Sequence, residues 1–272
     1  MIEQRTFDAV TAAIRTVAEE EVVARFRRLA EGDVSEKTGP LDLVTIADRR
    51  AEERLTKELG ALLPGSVVVG EEAVSADPGV LERIRGEAPV WIVDPVDGTS
   101  NFVAGKPEFG TLVALARGGE VFASWTYVPR LGLLATARRG QGAYVNGERV
   151  GTAVGGDVLR VATSQYAYLD AQERRGMDGL GIDGVLPRPC SCAGLDYLEL
   201  ARGELDAVAF TWEHPWDHAA GLLLVTEAGG ASTTAAGEPF RITGGNALPF
   251  SVARDAATAR RVVGLMAPGN AR

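Results

Sequence analysis

The run Val90-Trp91-Ile92-Val93, followed at once by Asp94-Pro95-Val96-Asp97-Gly98-Thr99, constrains this chain more than any other segment. A short, continuous apolar run that stops at a Pro/Gly-rich turn reads as a buried strand, and a buried strand needs a core around it. The chain has the material for one: 272 residues, 46% hydrophobic and 24% charged, which excludes wholesale disorder. That length accommodates one large domain or two smaller ones. At the carboxyl end of the strand stand two acids three residues apart, with a proline fixing φ between them.

Charge narrows the function classes. Lys and Arg number 28 against 37 Asp and Glu, a formal charge of −9. This balance argues against wrapping a nucleic-acid backbone, which needs clustered Lys and Arg, and against electrostatic anchoring on an anionic membrane. No apolar run approaches the roughly 18–20 residues that span a bilayer. Met1-Ile2-Glu3-Gln4-Arg5 lacks a basic region followed by an apolar core, so no secretory signal is expected and a cytoplasmic location is the default. The two cysteines, Cys190 and Cys192, are too close for a normal structural disulfide and lack a second pair for zinc, so reduced thiols are expected.

Periodicity predicts a helix over residues 7–31, where Phe7, Val10, Ile14, Val17, Val22, Phe26 and Leu29 recur at helical spacing. Residues 32–41 have the composition of a loop. A second helix is predicted from Thr45 to Leu63: Thr45 and Asp48 make a capping pattern, Ala51, Leu55, Leu59 and Leu62 form one stripe, and Pro64-Gly65 stops it. A strand over Ser66–Gly70 ends at Glu71-Glu72. Further strands are predicted over Thr111–Ala116, Val121–Tyr127 and Leu133–Ala137, then a hairpin turning on Asn146-Gly147. Past a Gly-rich boundary at Gly151–Gly156 come a strand over Leu159–Ser164, helical segments near 170–178 and 193–202, and a strand over Ala207–Phe210. A helix from Trp216 to about Ala228 stops at Gly229-Gly230, and a strand over Ser251–Arg254 precedes a helix over Ala256–Met266. Helices and strands mix without strict βαβ alternation, which predicts α+β layers. The expected subdomains are residues 1–155, carrying most candidate ligands, and 156–272, carrying Asp217 and the substrate-selecting residues.

Two apolar strands thus end in carboxylates, Glu71-Glu72 and Asp94…Asp97. If Glu71, Asp94 and Asp97 converge, their repulsion must be relieved by shared protons, basic partners or metal ions. Oxygen-only ligands favour a hard cation such as Mg²⁺, Mn²⁺ or Ca²⁺. Gly98-Thr99-Ser100 exposes backbone N–H groups suited to phosphate. One stretch therefore offers cation ligands and phosphate donors together, a combination that suits Mg²⁺-assisted phosphoryl chemistry. Taken alone, the segment also reads as a solvated turn with an Asp cap. Asp217 opens a helix that is apolar nearly all round, and alone it reads as an N-cap. His214 and His218 are four apart but separated by Pro215, outside any helical H-E-x-x-H, so no zinc pair is expected.

In this order, Asp42-Leu43-Val44-Thr45…Asp48, Gly70-Glu71-Glu72, Trp91–Phe102, and Trp216-Asp217-His218-Ala219-Ala220-Gly221 with Thr226-Glu227-Ala228-Gly229-Gly230 closely resemble the inositol monophosphatase family of Mg²⁺-dependent, lithium-sensitive phosphatases. The resemblance spans almost the whole chain. It implies a layered αβαβα sandwich of the inositol monophosphatase / fructose-1,6-bisphosphatase type, usually a homodimer. It also implies a phosphomonoesterase acting on a small phosphorylated metabolite, without nucleic-acid or membrane partners. By the same resemblance, Glu71, Asp94 and the Val96 carbonyl hold a first Mg²⁺, and Asp94, Asp97 and Asp217 hold a second. A weaker third ion sits near Glu71, and Mn²⁺ is an acceptable substitute. Thr99 and Asp48 position and deprotonate the attacking water, Gly98 and Thr99 N–H groups hold the phosphate, and Lys37 is a loop lysine near the site. Asp48 is also the capping partner of Thr45, and the two roles compete for one carboxylate.

Departures from the family pattern bear on substrate. Inositol-cleaving members carry a small Gly-[Ser/Thr]-Ala-Ala segment where this chain has Ser191-Cys192-Ala193-Gly194. They also carry an acid for ring hydroxyls at the position of Phe210, with Glu213 here shifted by three. Phe210 cannot accept a polyol hydrogen bond, and a lost buried partner costs roughly 1–3 kcal/mol. Histidinol phosphate, fructose 1,6-bisphosphate and 3′-phosphoadenosine phosphates, all used by relatives, therefore stand beside inositol monophosphate as substrates. A regulatory role as a protein partner of the transcription machinery is the alternative from another class.

Overall fold

The fold is seen in a computed structural model, which describes residues 2–153 and 155–267. The first half contains α1 (Gln4–Val17), β1 (Val34–Glu36), β2 (Leu43–Thr45), α2 (Ile46–Leu62), β3 (Val67–Gly70), α3 (Glu71–Ala76), β4 (Val90–Asp97) and α4 (Thr99–Val103). It continues with β5 (Gly110–Arg117), β6 (Glu120–Val128), β7 (Leu133–Arg138), β8 (Gly142–Val145) and β9 (Glu148–Val150). The second half contains β10 (Leu159–Thr163), α5 (Ala171–Asp178), β11 (Val185–Pro189), α6 (Ala193–Ala201), β12 (Ala207–Phe210), α7 (Pro215–Glu227), β13 (Ala231–Thr234), β14 (Phe250–Ala253) and α8 (Ala256–Leu265).

Strands β3 to β9 form a seven-stranded sheet in sequence order, antiparallel except for the parallel pair β3–β4. The second sheet has the order β11-β10-β12-β14-β13, with β10 parallel to both neighbours. Successive side chains of a strand point to opposite faces, and here both faces are covered. In β4, Trp91 and Val93 join a core with Val10, Ile14, Leu55 and Leu59 of α1 and α2. Val90 and Ile92 face the other way, toward Tyr197, Leu198, Leu223 and Leu224 of α6 and α7. The second sheet repeats the pattern: Val208 and Phe210 meet α6 and α7, whereas Ala207 and Ala209 meet Met177, Ala259 and Val262 of α5 and α8. The layers therefore run α1/α2, sheet, α6/α7, sheet, α5/α8, the αβαβα sandwich anticipated from sequence. Helix α7 is apolar nearly all round because it lies between two sheets. The division drawn at 155/156 falls in the connection between the two sheets, and the central core draws residues from both.

Three local readings are corrected. The helix expected over 7–31 is regular only to Val17; it continues through a π-helical turn, Ala18–Val22, and a 3₁₀ turn, Val23–Arg25, which let Phe26 reach Phe102 and Phe109. Within the loop expected over 32–41 lies β1, which pairs with β2 in a small antiparallel ribbon. Strands β11 and β13 have no counterpart in the sequence reading, because Val-Leu-Pro-Arg-Pro and Ala-Ser-Thr-Thr lack an apolar period. The Glu of Thr226-Glu227-Ala228-Gly229-Gly230 is structural: its carboxylate accepts from the N–H groups of Gly140 and Gly142 in the β7–β8 turn.

Helices α6 and α7 touch closely at Gly221, where an added Cβ would lie 2.1 Å from the Tyr197 ring. Tyr197 is fully buried and cannot retreat. Gly221→Ala should destabilise the protein by about 1–3 kcal/mol, the usual range for overpacking. Chemical denaturation of the variant beside the parent checks this.

Candidate active site

The site lies in a cleft of about 610 Å³ lined by residues of both halves, among them Lys37, Glu71, Asp97, Thr99, Trp216 and Asp217. Its geometry begins with an irregularity in β4. A separation of three would place Asp94 and Asp97 on opposite faces of a regular strand. The pairing with β5 shifts, however: Asp94 is opposite Leu112 and Asp97 opposite Gly110, so β4 carries one extra residue. This bulge contains Pro95, which could not donate to the ladder, and it re-aims Asp97. The outcome is that Asp94, Asp97 and Asp217 each offer a carboxylate oxygen within 4.8 Å of one another, a group able to hold a metal ion.

Each acid is held differently. Asp97 accepts from the N–H groups of Ala193 (3.1 Å) and Gly194 (2.7 Å) in the first turn of α6. Asp217, in the first turn of α7, accepts from Trp212 Nε1 at 2.7 Å and lies 3.6 Å from His214 Nδ1. Asp94 Oδ1 is buried with no hydrogen-bond partner. An orphaned carboxylate oxygen beside two further carboxylates is what an all-oxygen cation site leaves open. Glu71 and Glu72, at the start of α3, both bind Lys37 Nζ, at 2.7 and 2.6 Å.

Electrostatics report the same crowding. Burial, then the charges of Glu71, Asp97 and Asp217, pushes the Asp94 carboxyl well above its ordinary value. Burial and then Asp217 raise Asp97 to about 7, against the α6 N–H bonds that lower it. Burial raises Glu71 to about 8 despite Lys37. For Asp217 burial also raises, but the hydrogen bonds and charges of His214, His218 and Trp212 together outweigh it and hold the carboxyl below its usual range.

Asp48 resolves the competition between its two roles. Its Oδ2 accepts from the Thr45 N–H and hydroxyl in a full capping box, while Oδ1 accepts from the Thr99 hydroxyl at 3.0 Å. The Thr99 hydroxyl also lies 2.9 Å from the Val96 carbonyl. Burial raises Asp48 to about 6. Gly98 takes φ +84, and an added Cβ would lie 2.9 Å from Cys192 Cβ, so both conformation and space require glycine. Asn101 ties this turn to the opposite wall, donating to the Glu108 and Ser191 carbonyls. Ser191 and Cys192 thus line the cleft, and both cysteines are free and buried.

Two expected substrate contacts are not brought into the cleft. Phe210 is fully buried beneath Trp212, in a cluster with Tyr197, His218 and Phe250. The Glu213 carboxylate is taken by the N–H groups of Gly245 and Asn246 and the Asn246 side chain. The walls there are instead Trp212, His214, Trp216, Tyr168 and Gln165, with His214 and Trp216 stacked at 4.8 Å. His218 faces away, between the Tyr197 hydroxyl and the Trp212 carbonyl, so the histidines do not form a pair. The sequence reading missed Trp212 and Glu52. Glu52 had a signal: a charged residue among Ala51, Leu55 and Leu59 on the buried stripe of α2.

A layered α+β architecture that gathers buried carboxylates at a cleft defines the class as one with an acidic, cation-competent site. The inositol monophosphatase family model matches residues 3–262, and the chain belongs to that family. It is 38% identical to the inositol-1-monophosphatase of Rhizobium meliloti over 73% of this chain and 74% of that protein. It is 33% identical to the fructose-1,6-bisphosphatase/inositol-1-monophosphatase of Thermotoga maritima over 76% and 77% of the two chains. Among solved structures, the extragenic suppressor protein suhB from Bartonella henselae superposes with a TM-score of 0.83 at 26% identity, covering 98% of this chain and all 100% of that one.

The raised carboxyls give a pH expectation for metal-free protein. Asp48, Asp97 and Glu71 titrate in the folded state at about 6, 7 and 8, but at about 4 when unfolded. Between these values the unfolded chain binds fewer protons at these three positions, so their contribution to stability falls as pH rises from about 4 to 8, while buried His218, lowered to about 4, acts oppositely only below its unfolded value of about 6.5. Protein stripped with a chelator should melt at a lower temperature at pH 8 than at pH 6, and added Mg²⁺ should narrow the gap.

Proposed function

We propose that this chain hydrolyses the phosphate monoester of a small metabolite at a divalent-cation centre held by Glu71, Asp94, the Val96 carbonyl, Asp97 and Asp217. The carrying observation is the partnerless buried Asp94 Oδ1 among three carboxylates within 4.8 Å. An all-oxygen donor set suits Mg²⁺, with Mn²⁺ as a substitute. When bound, such an ion neutralises phosphate charge and makes water a better nucleophile. Phosphoryl transfer otherwise needs mainly positioning and charge stabilisation, and the chain's own residues supply the positioning. The Thr99 hydroxyl, fixed between Asp48 and the Val96 carbonyl, orients the attacking water. Asp48, held near 6 by burial, accepts its proton through Thr99 at neutral pH. Gly98 and Thr99 N–H groups receive the phosphate. Lys37 offsets Glu71 and Glu72 and keeps that wall from repelling a dianion.

For the leaving group, the favoured substrates are inositol monophosphate-like monoesters. Phe210, at the position of a polyol-binding acid, is buried, which supports a looser preference than strict inositol recognition. Released phosphate should be measured on inositol 1-phosphate, histidinol phosphate, fructose 1,6-bisphosphate and 3′-phosphoadenosine 5′-phosphate with Mg²⁺. Turnover of at least one is expected, and Asp94→Asn should abolish it; failure on all four, or an active Asp94→Asn, refutes the proposal. Asp48→Asn keeps an acceptor for the Thr45 cap but loses the base. It should cost about 10²–10⁴-fold in kcat, the span of general-base catalysis, with little change in melting temperature.

A further inference from the structure

Helix α3 starts without a cap of its own. Gly70 stands at the capping position and offers no side chain, yet the N–H groups of Glu72 and Ala73 do not go unpaired. Glu52, one helix away, accepts both with one carboxylate: Oε2 takes the Glu72 N–H and Oε1 the Ala73 N–H, each at 2.8 Å. These are the second and third residues of the helix, the donors that an N-cap side chain normally satisfies. Gly70 has an ordinary negative φ of −105, so its backbone does not require glycine. Space does: a Cβ there would lie 2.2–2.5 Å from the three carboxylate atoms of Glu52.

A carboxylate buried on a largely apolar helix face is costly unless fully engaged. A Ser or Asp at position 70 would cap α3 without it. Placing the cap on α2 does something that a local cap cannot. Asp48 and Glu52 are four residues apart and share one face of that helix. Asp48 grips Thr99, at the start of α4; Glu52 grips the turn that begins with Glu71. One rigid helix face therefore sets the spacing between the two ends of the reactive centre.

We propose that Glu52 is a positioning residue: it holds the first turn of α3 so that the Glu71 carboxylate is presented to the cation centre, and Gly70 is the space this contact needs. The inference rests on the reading of Glu71 as a cation ligand. Its test is direct Mn²⁺ binding to metal-free protein, followed by electron paramagnetic resonance, in the parent, Glu52→Gln, Glu71→Gln and the double variant. Gln keeps one acceptor oxygen and loses the other. Glu52→Gln should weaken Mn²⁺ binding about 10–100-fold, as loss of an outer partner of a metal ligand does. In the Glu71→Gln background the same change should add little, because residues acting through one another are not additive. Gly70→Ala, which displaces the Glu52 carboxylate from the other side, should weaken binding in the same direction. It serves as the second variant should Glu52→Gln fail to fold. Parental Mn²⁺ affinity in Glu52→Gln or Gly70→Ala overturns the inference, as does an undiminished Glu52 effect in the Glu71→Gln background. Absence of Mn²⁺ binding in the parent overturns the cation centre itself, and this inference with it.

Discussion

Four carboxylates brought into one largely buried place repel one another, and much of this fold serves to keep them there. Glu71, Asp94, Asp97 and Asp217 come from three separate elements, and Glu71, Asp97 and Asp217 are each restrained by a different device. Lys37 from the β1–β2 ribbon binds Glu71, the first turn of α6 binds Asp97, and the Trp212 indole binds Asp217. Asp94 has a fully buried oxygen, Oδ1, without a hydrogen-bond partner. Low dielectric around such a cluster raises proton affinity, as the shifts of Asp94, Asp97 and Glu71 record, and it raises affinity for a compensating cation by the same physics.

The layers bring both sheets to one cleft, lined by Asp97 of β4 in the first sheet and by residues that follow β10, β11 and β12 in the second, among them Gln165, Ser191 and Trp212. The central helices hold them there, through contacts close enough to demand glycine. An added Cβ at Gly194 would lie 2.3 Å from Leu112 and 3.0 Å from Asp97, and one at Gly221 would strike Tyr197. The small residues of the middle layer are therefore part of the site's geometry, since they set how far α6 and α7 stand from β5 and from each other.

The substrate wall shows how a pattern and its placement can diverge. Counting back from Asp217 leads to Phe210, and its side chain turns into the core because β12 is covered by α6 and α7 on that face. Trp212, two residues on, reaches the cleft and also binds Asp217, so one side chain both lines that wall and restrains an acid of the carboxylate cluster.

The sequence alone determined most element types and the α+β layering, because apolar periodicity is a local signal; the five-layer order came with the family resemblance of its motifs. The sequence also named Asp48, Glu71, Asp94, Asp97, Thr99 and Asp217 as candidates, and of these Asp94, Asp97 and Asp217 come within 4.8 Å of one another. It did not disclose β11 or β13, which lack an apolar period and are held by neighbouring strands. Nor did it disclose that residues three apart on a strand could share a face, which needed a bulge. The division of the Asp48 oxygens between Thr45 and Thr99 was likewise decided by tertiary structure, as was the cap that Glu52 lends to α3. Both depend on groups 20 to 51 residues apart in the chain meeting at hydrogen-bond distance. Only the packing of α2 against the sheet brings such groups together, and no local pattern encodes that distance.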